Sequence, residues 1–273
     1  MEHGEALECL LADEGLLKNI ELLGPHGGTD ARKDKKLREV AGFCDVILHY
    51  VRKFLPKKER LRVLECSCGK SYLGIALAVV LRRLEGKETD LVGVDINEEL
   101  VEKCRRLAGD VGLEDVRYVA GRSVQFQSEE GFDLVLALHA CDTATDEAIA
   151  KGIDLGARLI MTVPCCQNQI RGQIKSGHPL TAMTEFGPVR YRLANLLTDV
   201  LRAQFLQGAG YYVEMQEIGS PRLTPKNLCI CARKTRSGPS RSRAENYVEL
   251  KELFGVKPAV ERLCPGVLER HGF

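Results

Sequence analysis

Short apolar runs of strand length recur along this chain with helix-length stretches between them, and few architectures accommodate that alternation. The runs are Arg62 to Cys66, Leu91 to Val94, Val116 to Ala120, Leu134 to Leu138 and Leu159 to Val163. They are nearly continuous in apolar character, as in strands covered on both faces. The stretches between them, among them SYLGIALAVVLRRL from Ser71 and the segments 98–108 and 143–152, read as helices. Repeated strand, helix, strand gives a parallel sheet with helices packed on it. Leu193, Leu196, Leu197, Val200, Leu201 and Phe205 mark a further helix, while Tyr211 to Ile218 and Leu228 to Ala232 read as two last strands joined by SPRLTPKN. The expectation is a Rossmann-like α/β fold ending in an antiparallel hairpin.

With 273 residues, 44% of them hydrophobic, the chain can bury one sizeable core plus a small appendage, which argues against disorder over most of its length. The acidic N-terminus lacks a basic and apolar leader, and no window approaches the roughly 18 apolar residues that cross a bilayer, so a cytoplasmic location away from membranes is expected. Eleven cysteines, an odd number with several inside apolar runs, read as reduced thiols. The division expected is a basic helical extension over 1–60, a catalytic domain over 61–235, and a linker with a small helical tail over 236–273. The Gly- and Pro-bearing segment 167–188 reads as a mobile lid.

Charge is balanced overall at +1 but segregated along the chain. Residues 31–62 hold eleven Lys/Arg against four acids, a local +7, and Lys226 to Arg243 add six Lys/Arg with no acid. Within the first segment Val40, Phe43, Cys44, Ile47, Leu48, Val51 and Leu55 form one helical stripe that Pro56 ends. Two cationic segments in a neutral chain point to a polyanion such as RNA as partner.

The turn after the first strand is ECSCGKS, residues 65–71. A triphosphate-cradling loop would need a glycine where Leu64 stands inside the strand, so that reading fails. A small-residue loop built from Glu65, Ser67, Gly69 and Lys70 suits a nucleoside cofactor instead. Asp95 ends the second strand, next to Ile96, where a carboxylate accepts hydrogen bonds from ribose hydroxyls. NAD and S-adenosylmethionine both fit these two loops. His139, Cys141 and Asp142 lie at the exit of the fourth strand, and Pro164, Cys165, Cys166 and Gln167 at the exit of the fifth, where an open parallel sheet binds ligands.

LHACDTATD followed by VPCCQ, together with the ECSCGKSYL loop and TPKN, resembles a family of class I S-adenosylmethionine-dependent methyltransferases over roughly residues 31–234. The paired motifs are distantly similar to those of eukaryotic tRNA 2′-O-methyltransferases acting on the acceptor stem. The resemblance implies a seven-stranded, mostly parallel methyltransferase sheet and S-adenosylmethionine as cofactor. The residues expected to hold it are Glu65, Ser67, Gly69, Lys70, Asp95, Ile96, Ser123 and His139, and those expected at the chemistry are Asp142, His139 and Cys165. Ser67 stands where such loops usually carry glycine, and Arg122-Ser123 where an acid near the adenine is common.

Direct methyl displacement needs alignment more than a strong base, so the residues leave the methylated atom open. RNA is the expected acceptor. The alternatives are a protein or small-molecule acceptor, a non-catalytic adaptor with a methyltransferase fold, and an NAD-dependent oxidoreductase. Cys165 as a thiolate nucleophile toward a pyrimidine is a further reading. A zinc site from Cys66, Cys68, Cys165 and Cys166 lacks a second C-x-x-C knuckle. No metal is therefore expected, and activity should survive chelation.

Overall fold

The computed structural model describes residues 4–23, 30–174, 177–218 and 226–273, and its seven strands make up a seven-stranded mixed sheet. The chain divides into two compact units, one of residues 1–127 and 217–227, the other of 128–216 and 228–273.

In the first unit, helices α1 (Glu5–Leu11), α2 (Glu14–Asn19) and α3 (Ala31–Phe54) precede β1 (Arg60–Cys66). Then follow α4 (Tyr72–Glu85), β2 (Glu88–Asp95), α5 (Glu98–Asp110), β3 (Val116–Ala120) and a single 3-10 turn at Ser123–Gln125. The three strands are parallel in the order β3-β2-β1, with Cys66 opposite Val94 and Asp95 opposite Ala120. α3 begins where the Asp30 carboxylate accepts the Lys33 amide, and it ends two residues before Pro56. It buries Val40, Phe43, Cys44, Ile47, Leu48 and Val51 of the stripe expected from spacing, and Leu37 in addition, while Leu55 of that stripe caps the helix; α3 packs on α4 and α1. Apolar α4 is buried along most of its length, and its left-handed Gly86 lets the chain turn back toward β2.

The second unit contains β4 (Leu134–Leu138), α6 (Thr143–Asp154), β5 (Leu159–Val163), α7 (Asn168–Arg171), α8 (Thr181–Thr184) and α9 (Gly187–Gly208). It also holds β6 (Tyr211–Glu217, its last residue assigned to the first unit), β7 (Leu228–Lys234), α10 (Arg241–Phe254), α11 (Ala259–Leu263) and α12 (Gly266–Glu269). Strand order is β4-β5-β7-β6; β4 and β5 are parallel and β7 runs antiparallel to β5. All five residues of β5 are buried, consistent with cover on both faces. The last three helices pack into the unit: Tyr247 of α10 meets Phe205 of α9 with ring centroids 5.3 Å apart, and Val260 and Val267 are fully buried.

Segment 167–188 differs from the expected irregular loop. It carries α7 and α8, and Ile170, Ile174, His178 and Thr184 are buried. His178 Nε2 lies 3.1 Å from the Thr184 hydroxyl, so local hydrogen bonds organise a stretch whose apolar residues are too sparse to show a period. Residues 175 and 176 lie outside the described set, as do 219–225, which hold most of the expected SPRLTPKN turn.

Candidate functional site

In the first unit the loop leaving β1 is fastened to the end of β2. The Cys68 amide donates to Val94 O at 3.0 Å, and the Gly69 amide to the Asp95 carboxylate at 2.8 Å. Cys104 Sγ of α5 lies 3.2 Å from Gly69 O. Ser67, Gly69 and Ser71 all sit at positive φ, 53°, 54° and 50°. This explains why such loops favour glycine at the place of Ser67, since a left-handed non-glycine residue is held at a cost of about 1–3 kcal/mol. A Cβ added at Gly69 would meet nothing within 4 Å, so the loop borders open space.

Asp95 is half-buried. One carboxylate oxygen accepts from Gly69 and the other from the Asn97 amide at 2.9 Å, so each retains a lone pair for a further donor. Ile96 beside it is 74% exposed, an apolar side chain standing in solvent next to an acid. An acid with spare acceptor capacity, an open loop and an exposed apolar side chain suit a nucleoside: ribose hydroxyls on the carboxylate, a base against the isoleucine.

Glu65, Lys70 and Ser123 are placed differently. Glu65 is 3% exposed at the end of β1, where Ser71 Oγ donates to it at 2.5 Å and Tyr118 Oη donates to Ser71 Oγ at 3.0 Å. The Tyr118 ring lies against Gly93, where any side chain would collide with it. Burial pushes the Glu65 carboxyl up to about 7, against the hydrogen bonds from Ser71 and Gly74 that favour its ionised form. Lys70 pairs with Glu21 at 3.0 Å, and Glu21 also takes Lys103 at 2.5 Å; these cations hold the Glu21 carboxyl below its ordinary value. The Ser123 side chain is buried. Glu21 drew no attention in the sequence because nothing local links it to Lys70 and Lys103, 49 and 82 residues away.

Lys70 and Tyr72 also line a cleft of about 1050 Å³, walled by Lys18, Glu21, Asp30, Arg32, Lys33, Lys35, Lys36 and Glu39. Much of the charge on the basic segment is internally paired: Arg38 with Asp34 at 2.8 Å, Arg52 with Glu5 and Glu85 at 2.8 and 2.7 Å, Arg60 with Asp115 at 2.8 Å, and Arg62 with Asp90 at 3.2 Å. Arg32, Lys35 and Lys57 are exposed.

In the second unit the loops leaving β4 and β5 are laced together. The His139 amide donates to Val163 O at 2.9 Å and the Asp142 amide to Cys166 O at 3.0 Å, while Asp142 Oδ1 accepts the Gln169 amide at 3.0 Å. His139 and Asp142 are both left-handed, at φ 59° and 51°. The Sγ atoms of Cys141 and Cys165 lie 3.1 Å apart, and both approach His139 O. Burial, with Cys141 beside it, pushes the Cys165 thiol well up, the opposite of what a thiolate nucleophile needs.

Below these loops lies a buried charged network that sequence reading did not single out. Arg202 of α9 is 1% exposed; it donates from Nε and Nη2 to Asp146 at 3.0 and 2.8 Å, from Nη1 to Asp199 at 3.2 Å, and from Nη2 to Asp142 O at 2.8 Å. Burial opposes the guanidinium charge, but Asp146 and Asp199 outweigh it and hold the pKa above the ordinary value. Gln167 Nε2 donates to both Asp199 oxygens, so residues from both strand exits rest on α9.

Strands and loops of this kind define a Rossmann-like methyltransferase fold. Residues 35–173 match the family described as Methyltransferase domain, and the chain belongs to that family. Among curated proteins it is similar to the Glutathione S-transferase C-terminal domain-containing protein of Homo sapiens, 23% identical over 198 residues, with 62% of this chain and 29% of that protein covered. The protein of the same description from Bos taurus is 27% identical with the same coverage. The match thus spans under a third of those relatives' length. Among solved structures, the magnesium protoporphyrin IX methyltransferase of Synechocystis PCC 6803 with bound SAH aligns at 14% identity and a TM-score of 0.48, covering 79% of this chain and 92% of that one. Among the described residues, no helix is long and apolar enough to cross a membrane.

Proposed function

We propose that this methyltransferase transfers the methyl group of S-adenosylmethionine to RNA, by direct displacement at the sulfonium methyl. The observation that carries the RNA reading is the cationic lining of the cleft beside Lys70, where six Lys/Arg stand against three acids. Phosphates are the groups such a lining recognises. The 61–235 region acts as the catalytic domain, and the segments 31–62 and 226–243 bind the polyanion.

In the first unit Asp95 takes the ribose hydroxyls, Ile96 covers the adenine, and the loop from Ser67 to Gly69 borders the methionine end. Glu65 acts by shaping the loop through Ser71, and Ser123 contributes through its backbone. In the second unit Asp142 and His139 address the acceptor. The Cys165 nucleophile reading is disfavoured by its raised thiol pKa.

Asp95→Ala is expected to weaken S-adenosylmethionine binding by about 1–3 kcal/mol in calorimetric titration, the range for a lost hydrogen bond to a charged group. Unchanged affinity would remove Asp95 from the cofactor site.

For the acceptor, the protein is incubated with labelled S-adenosylmethionine and separate RNA, protein and small-molecule fractions. Label in RNA alone is expected; label in protein or metabolites names another acceptor, and label in none indicates an adaptor. RNA affinity should also fall steeply with salt as counterions are released. Arg32→Ala, Lys35→Ala and Lys57→Ala together should flatten that slope by about one unit per lost phosphate contact. An unchanged slope in the triple variant would overturn the assignment of this surface.

A further inference from the structure

Folding brings together a set of sulfur atoms that their order in the chain does not reveal. Cys141 leaves β4 and Cys165-Cys166 leave β5, yet their three Sγ atoms all lie within 4.8 Å of one another. We propose that Cys141, Cys165 and Cys166 form a zinc site of three thiolates, with the fourth coordination position open to solvent or to a reacting atom. It goes beyond the RNA reading and does not depend on it.

The distances suit the ion. Tetrahedral zinc with Zn–S bonds of about 2.3 Å sets its sulfurs about 3.8 Å apart. The Cys141 and Cys165 sulfurs at 3.1 Å therefore need to part by well under 1 Å to admit the metal. The backbone holds them ready: the hydrogen bonds from His139 N to Val163 O and from Asp142 N to Cys166 O fix one strand exit against the other on both sides of Cys141. Left-handed His139 and Asp142 flank that cysteine, and strained backbone next to clustered donor groups is a common mark of a functional site.

Donor chemistry selects the metal. Three sulfurs without a carboxylate in the cluster suit zinc over hard cations such as magnesium or calcium. Cys165 and Cys166 are half-buried and Cys141 is exposed, so the ion would be reachable from solvent on the Cys141 side, as in zinc sites that keep an open position. Each cysteine that binds gives up its thiol proton to solvent, up to three per ion, with no change in oxidation state.

The expectation of no metal weighed a different quartet, Cys66, Cys68, Cys165 and Cys166. Cys66 and Cys68 are buried in the first unit, and Cys68 and Cys104 are engaged with each other and with Gly69 O.

The test uses the full chain, reduced and stripped of metal, titrated with Zn²⁺ against a chromophoric chelator. One ion per chain is expected, with proton release measured in weak buffer. Co²⁺ in its place should give thiolate-to-metal charge-transfer absorption and the visible bands of tetrahedral coordination. Cys141→Ser, Cys165→Ser and Cys166→Ser should each loosen zinc by more than the roughly 10–100-fold that removing an outer-shell partner causes. Cys264→Ser should leave it unchanged. If a variant fails to fold, alkylation of the parent protein decides: bound Zn²⁺ should shield Cys141, Cys165 and Cys166 while Cys9 and Cys264 react as before. Absence of a stoichiometric ion, binding that survives the triple Ser variant, or a Cys141–Cys165 disulfide in place of metal would each overturn the proposal.

Discussion

Arg202→Ala is expected to destabilise the fold by about 3–5 kcal/mol, the penalty for removing one member of a buried ion network and leaving its partner carboxylates without their counter-charge. Asp146 and Asp199 are 3% and 6% exposed, so water cannot take over the guanidinium's role. Because the same guanidinium donates to Asp142 O, the left-handed turn at Asp142 also loses its support from α9. Urea denaturation of parent and variant reads the loss. Adding Asp146→Asn and Asp199→Asn to the variant should recover part of it, because the residual penalty is mostly that of orphaned charge; such residues do not contribute additively. A deficit under about 1 kcal/mol would mean that solvent reaches the site and that the network is not a structural anchor.

Glu65 is expected to make stability fall as pH rises. Its folded carboxyl is raised to about 7 from an ordinary value of 4.5, so between those values the folded chain keeps a proton that the unfolded chain releases. Stability from this group is full below about pH 4.5 and is lost as pH climbs through about 7. The shift corresponds to about 3 kcal/mol at full ionisation, taken as an order of magnitude. Glu65→Gln keeps an acceptor for Ser71 and cannot ionise, so its denaturation midpoints at pH 5 and pH 8 should differ by less than the parent's. Equal pH dependence in the two proteins would show that Glu65 does not titrate in this range. The same variant tests how far the β1 loop depends on this carboxyl, since Ser71 and Tyr118 hang on it.

The sheet was legible because its signal is local. β3, β4 and β5 occupy the residues expected from their apolar runs, and β1 and β2 extend those runs at one or both ends. α3 follows its stripe to within two residues of Pro56, where a proline's missing amide and fixed φ stop any helix. Asp95 could be marked as an acid ending an apolar strand, and it does end β2. By contrast α1 and α2 are seven and six residues long, and α7 and α8 four each, too short for periodicity to register.

The candidate sites were legible only in part. A strand exit can be found from sequence, because the end of an apolar run is a property of neighbouring residues, and this marked Glu65, Asp95, His139 and Cys165. What each side chain does there depends on residues far away in the chain. Lys70 is held by Glu21, Arg202 meets Asp146 across 56 positions, and Cys141 reaches Cys165 across 24. In sequence, Arg202 is an ordinary polar residue on an amphipathic helix, and only packing on both sides makes it a buried charge. Hydrophobic periodicity determines where the chain is extended or coiled, since burial of a repeating face rewards it residue by residue. Which polar and sulfur groups then meet is set by how separate strand exits are brought together, and no local pattern encodes that distance.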